Sequence, residues 1–163
     1  MKELVNRIVF GTNLKFTLLI VFGIVFTAAF ACESGGDKVP PDAELQSLVK
    51  ETTADFANAI ETEDFAKLHA KSSSDFRSTY TVDQAKSAFS TFIDKKDAVL
   101  PSLKNASGSS ATFSKVPSIR SEKSLNILVV EGQFASKPYA VKFEYEYVWR
   151  DGGWKMLKLV VNM

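Results

Sequence analysis

Cysteine and histidine each occur once in these 163 residues, as Cys32 and His69. A single cysteine excludes an intrachain disulfide and a thiolate metal cluster, and a single histidine argues against a zinc site, so neither metal nor cofactor is expected. Charge of one sign is lacking as well, because 20 basic residues face 19 acidic ones and no stretch strings Lys or Arg together with interleaved aromatics. Nucleic acid is therefore not an expected partner. Long apolar runs are scarce too: Phe16–Phe30, 15 residues without a charge, is too short for a comfortable membrane-crossing helix, which needs ~20. What is present is 45% hydrophobic residues. That is enough for one domain with a true core once the N-terminal segment is set aside.

Residues 1–31 have the layout of an export signal. Lys2, Arg7 and Lys15 precede the apolar stretch, which ends in Thr27-Ala28-Ala29-Phe30-Ala31. Ala29-Phe30-Ala31 fits the small-x-small site of ordinary signal peptidase. Followed at once by Cys32, the same residues resemble the lipobox of bacterial lipoproteins, in which the cysteine is acylated and becomes the mature N-terminus. The family favours Leu where this chain has Ala29 and a small residue where it has Phe30. The position of the single cysteine favours lipidation over plain secretion or an uncleaved anchor. Residues 32–41, rich in Gly, Ser and Pro, then read as the lipidated cysteine and a solvated tether with a root-mean-square span of ~15–18 Å. The resulting expectation is an exported protein of the bacterial cell envelope, held to the membrane through an N-terminal lipid.

The domain is assigned to residues 42–163. Asp42 is placed to cap a first helix with Leu45, Leu48, Val49, Phe56, Ala59 and Ile60 on one stripe, Thr52 bridging the gap. Asp64 suits a short second helix from Phe65 to about Ser72, and Ser72–Tyr80 reads as irregular. Thr81-Val82-Asp83-Gln84 is a capping box, which predicts a third helix carrying Ala85, Phe89, Phe92 and Ile93 and stopping near Pro101. From Asn105 onward the periodicity becomes strand-like: Ala111–Val116, then Leu125–Ala135, then a hairpin. Three helices followed by a four-stranded antiparallel meander predict an α+β layer fold.

The hairpin is the most patterned stretch. Tyr139, Val141, Phe143, Tyr145, Tyr147 and Trp149 alternate with Lys142, Glu144, Glu146 and Arg150, the signature of a half-buried strand. Parity fixes its return. A two-residue loop would turn Lys158 onto the aromatic face, so a three-residue loop, Asp151-Gly152-Gly153, is expected, with Tyr145 beside Leu159, Tyr147 beside Leu157, Glu146 beside Lys158 and Arg150 beside Trp154.

The order of elements, with Tyr145-x-Tyr147-x-Trp149 running through Gly153-Trp154-Lys155 to Leu159, resembles the nuclear-transport-factor-2-like (cystatin-like) cone superfamily over about residues 43–161. The resemblance implies a curved sheet wrapped around the helices with a pocket at its mouth. It also implies kinship with ketosteroid-isomerase-like and polyketide-cyclase-like enzymes and with envelope lipoproteins. The isomerase-type members carry a Tyr in the first helix and an acid aimed into the pocket from a late strand. This chain has Phe56 and no Tyr in that helix, and Glu144 and Glu146 alternate away from the aromatic face. The expectation is therefore a binding domain without a catalytic centre, its pocket walled by Tyr139 and Tyr147 with Tyr80 near the mouth and His69 on a helix flank. Asp75 and Arg77 are read as a solvated loop pair near the mouth. The expected occupant is a small apolar ligand or an envelope protein; an isomerase- or cyclase-type enzyme and a homodimerisation module are the alternatives.

Overall fold

The computed structural model describes residues 36–163. The segment 1–31, expected as an export signal, and Cys32, expected as the lipidation site, lie outside the described residues. Helix α1, Asp42–Thr62, opens the domain, followed by α2 (Ala66–Lys71), α3 (Ser74–Thr79), α4 (Val82–Ala88), α5 (Ser90–Asp94) and α6 (Lys96–Ser107). Strands β1 (Ala111–Phe113), β2 (Ser118–Glu122), β3 (Leu125–Phe134), β4 (Val141–Arg150) and β5 (Gly153–Asn162) complete it. The result is an α+β fold, with helices packed on one face of an antiparallel sheet.

Helix α1 buries Leu45, Val49, Phe56, Ala59 and Ile60, the stripe its spacing sets. Its cap differs from expectation. Asp42 makes no side-chain cap bond; Pro41 stands at the N-cap, where its carbonyl accepts from the Leu45 N–H at 3.0 Å, and Asp42 and Glu44 face the positive end of the helix dipole. The cap of α2 also differs: Phe65 stands at its N-cap without a side-chain cap bond, and Asp64, one residue earlier, accepts from the Ala66 N–H at 2.8 Å.

Three helices were expected over residues 42–101, and six form among the described residues. Ser72–Tyr80 is not irregular: Ser73 caps α3 by accepting from the Phe76 N–H at 3.0 Å, a cap that a polar run disguises. The capping box at Thr81 and Gln84 is formed in both directions. The expected third helix is interrupted at Phe89 and Lys95 and then runs past Pro101, which sits inside α6. A proline there removes one helical bond at a cost of ~3 kcal/mol. Leu103 and Ala106, both fully buried, offset it through ~1.5–3 kcal/mol for a large apolar side chain and less for a small one.

The sheet has five strands in four lanes. β1 and β2 lie end to end along β3, with Phe113 opposite Gly132 and Ser118 opposite Val129, so the expected strand 111–116 stops short of Pro117 and a second begins after it. Lys123 and Ser124, both at positive φ, close the β2–β3 hairpin as a two-residue turn. β4 is central, between β3 and the edge strand β5.

The last hairpin corrects the expected loop while keeping its logic. The loop has two residues, Asp151 (φ 53°) and Gly152 (φ 75°), because Arg150 pairs with Gly153 and Trp149 with Trp154. Tyr147 therefore meets Met156 rather than Leu157, while Glu146 meets Lys158 and Tyr145 meets Leu159 as expected. The missing residue of parity is supplied by a bulge at Leu157, which keeps Lys158 off the aromatic face. Tyr139, expected on that face, precedes the strand and is 50% exposed.

Residues 36–41, expected as solvated tether, lie against the domain. Gly36 is buried beside Trp149, and Asp37 Oδ1 accepts from Asn126 Nδ2 at 2.7 Å. An alanine Cβ at Gly36 would stand 2.7 Å from Trp149 Cβ, and its φ of +110° admits only glycine without strain.

Candidate functional site

Two adjacent threonines on α1 reach two alternate tyrosines on β4. Tyr145 Oη and Thr53 Oγ1 are 2.9 Å apart, as are Tyr147 Oη and Thr52 Oγ1. Thr53 Oγ1 already donates to the Val49 carbonyl at 2.8 Å, so Tyr145 must be the donor in its pair. Burial raises the pKa of both phenols, which stay protonated. These hydroxyls brace α1 on the sheet.

Tyr147 also lines a small cleft of about 220 Å³ between α1, α2 and the start of β5, together with Asp55, Lys71 and Trp154. Polar groups fill its mouth. Lys71 Nζ lies 2.6 Å from Asp55 and 2.8 Å from Glu51, and Lys67 lies 3.5 Å from Asp55, whose side chain is 10% exposed. The hydrogen bonds to Asp55 and Glu51 raise the Lys71 pKa, while Lys155, which lines the same cleft, makes no ion pair among the described residues.

The larger space is a groove of about 510 Å³ between the edge of β5 and helices α3 and α4. Phe76, Ala85, Ala88, Phe89, Leu157 and Leu159 give it apolar walls; Tyr80, Gln84, Glu146 and Lys158 supply polar positions. Lys158 and Leu159 point to opposite faces of one strand, so a space that both line meets the strand at its edge. Glu146, which alternation placed toward solvent, is buried: Arg120 Nη1 and Nη2 approach it at 3.4 and 3.1 Å, and Lys158 at 3.5 Å. Lys158 also donates to Glu144, and this pairing is the main cause of its raised pKa.

The four residues expected to share a pocket are divided. Tyr80 lines the edge groove and Tyr147 the polar cleft. Tyr139 lies before β4, some eight residues from Tyr147, a separation of about 26 Å along an extended strand. Its N–H instead donates to Ser102 Oγ at 2.9 Å. His69 Nε2 contacts the Tyr80 carbonyl at 2.7 Å; a carbonyl only accepts, so this nitrogen carries the proton. Asp75 does not pair with Arg77. It pairs with Arg150 at 3.1 Å, while Arg77 donates to the carbonyls of Ala70 and Ser72. The edge groove was not legible beforehand, since it joins helix α3, read as irregular, to β5 at Leu157, a residue read as regularly paired with Tyr147 and found in a bulge. Among the described residues no group of three or more His, Cys, Asp or Glu is arranged to hold a metal, and no helix is long and apolar enough to cross a membrane. Among known proteins the chain matches no family model, no curated protein and no solved structure.

Proposed function

We propose that this chain is a lipid-anchored protein of the bacterial cell envelope whose nuclear-transport-factor-2-like domain binds an apolar partner rather than catalysing a reaction. The observation that carries the binding role is the groove of about 510 Å³ along β5, within the ~300–1,000 Å³ usual for ligand sites and walled by aromatic and aliphatic side chains. Anchoring rests on the sequence: an apolar segment ending in Ala31-Cys32, the only cysteine of the chain. The cone geometry of the family is supported by the helix-on-sheet layering and by the long aromatic strand β4 at the centre of the sheet.

The test has two arms. In a bacterial host the full chain partitions into the detergent phase and Cys32→Ser into the aqueous phase; equal partitioning of both at the mature mass refutes the anchor. For binding, the fluorescent fatty acid cis-parinaric acid is titrated against the full chain and against Ala88→Trp, which fills the groove from an exposed position on α4. At least about a tenfold loss of affinity is expected; an unchanged affinity refutes the groove as the apolar site.

A further inference from the structure

The chain enters the domain at one end of the sheet. Ile127 pairs with Val148, so the β2–β3 turn at Lys123 and Ser124 and the β4–β5 turn at Asp151 and Gly152 close at the same end. Asn126 and Trp149 stand one residue nearer to those turns than that pair, and the first described residues lie on them. Gly36 packs on Trp149, and Asp37 Oδ1 accepts from Asn126 Nδ2 at 2.7 Å. Trp154, paired with Trp149, extends the same row, with the two ring centroids 5.5 Å apart. Residue 36 is thereby fixed against the turn-bearing end. A free tether over residues 32–41 would let any side of the domain meet a membrane; docked at Gly36, the chain leaves far less reach.

Length decides which side that reach serves. The chain from Cys32 to Gly36 covers at most ~14 Å when fully extended. The opposite end of the sheet, where Phe134 pairs with Val141 and Tyr139 is exposed, lies ~26 Å from Asn126 along β3. A lipid carried on Cys32 therefore holds the membrane surface at the turn-bearing end. Charge does not choose between the ends: Lys123 and Asp151 in the turns balance each other, as do Asp37 and Lys38 in the docked segment. The aromatic chemistry fits the nearer end. Trp149 and Trp154 are half-buried and still show part of their rings, and amphipathic indoles settle at headgroup depth. We propose that the end closed by the turns 123–124 and 151–152 faces the phospholipid surface, seated by Trp149 and Trp154, and that the docked segment sets this orientation. This rests on the lipid-anchor reading and adds the face that meets the membrane. The end bearing Tyr139 then points away from the lipid.

The test uses the full chain, made and processed in a bacterial host and reconstituted in phosphatidylcholine vesicles. A lipid with a nitroxide on its headgroup quenches any fluorophore close to the surface. With Cys32 acylated, an introduced cysteine is the only free thiol, and an NBD label is placed at Glu122→Cys or at Lys142→Cys, both exposed strand positions. Glu122 pairs with Leu125 and Lys142 with Gln133. The labels thus stand ~26 Å apart along β3, and quenching at position 122 is expected to be at least about twofold stronger than at 142. In Gly36→Ala, whose new Cβ would stand 2.7 Å from Trp149 Cβ, that contrast is expected to vanish. Equal quenching at the two positions, or stronger quenching at 142, in protein held on the vesicles overturns the orientation and leaves the anchor standing. A contrast that survives Gly36→Ala overturns the docked segment as its cause. If Cys32→Ser stays on the vesicles as well as the unsubstituted chain, or if neither stays, the anchor reading falls and the orientation falls with it.

Discussion

The tyrosine–threonine pairs are the residues on which the helix layer is located over the sheet. Each pair joins a buried phenol to a helix hydroxyl at 2.9 Å, so neither Tyr145 nor Tyr147 leaves a polar atom unpaired in the core. Replacing Tyr147 by Phe keeps the ring packing and strands the Thr52 hydroxyl; a loss of about 1–2 kcal/mol in urea unfolding is expected. The same phenols set an alkaline limit. Burial raises their folded pKa values above the ordinary 10.0, so the folded state holds protons that the unfolded chain releases. Stability is therefore fully present below pH ~10 and declines above it, by up to about 1.4 kcal/mol per pH unit for each tyrosine. The double variant Tyr145→Phe, Tyr147→Phe should be less stable at neutral pH and should lose most of that alkaline decline. A decline unchanged in the double variant would assign it to other groups.

Among the elements, β5 shows how a register is decided. Asp151 and Gly152 both take positive φ, which favours a tight two-residue turn matched to strand twist. That turn alone would drive Lys158 beneath Tyr145, and burying its charge would cost several kcal/mol. A bulge at Leu157 resolves the conflict. The sequence showed that one extra residue was required; it did not show where, because Asp-Gly-Gly can serve as a two- or a three-residue loop. Removing Leu157 should therefore keep Glu146 opposite Lys158 and Tyr145 opposite Leu159, since it deletes the residue without a partner. The expected cost is about 1–3 kcal/mol from lost packing and bend. Cross-strand amide contacts by NMR check this; Lys158 opposite Tyr145 in the deletion variant would contradict it. The helices teach a related lesson. Ser73 was an available cap within a polar run, and Pro101 an apparent stop, yet burial of Leu103 and Ala106 carried α6 through it.

For the whole molecule, the approach to the domain is also part of the structure. Gly36 sits at φ +110° against Trp149, and Asp37 is held by Asn126. Gly36→Ala should undock residues 36–41, seen as faster cleavage there by a broad-specificity protease, while the unfolding free energy of the domain changes by less than about 1 kcal/mol. Unchanged cleavage would mean the segment is not held at this point. By itself the sequence determined what local chemistry can specify: the buried stripe of α1, the capping box at Thr81 and Gln84, the aromatic face of β4, the pairing of Tyr145 with Leu159, and an α+β order of helices before strands. These follow from 3.6- and 2-residue periodicity and from the cost of burying a charge. Only the tertiary structure decided where the parity residue went, that Tyr139 lies before β4 with its N–H on Ser102, that Arg120 covers Glu146, and that α3 and α4 leave a groove along β5. Each of those joins residues far apart in the chain, and their energies depend on which surfaces meet, a quantity that no local pattern contains.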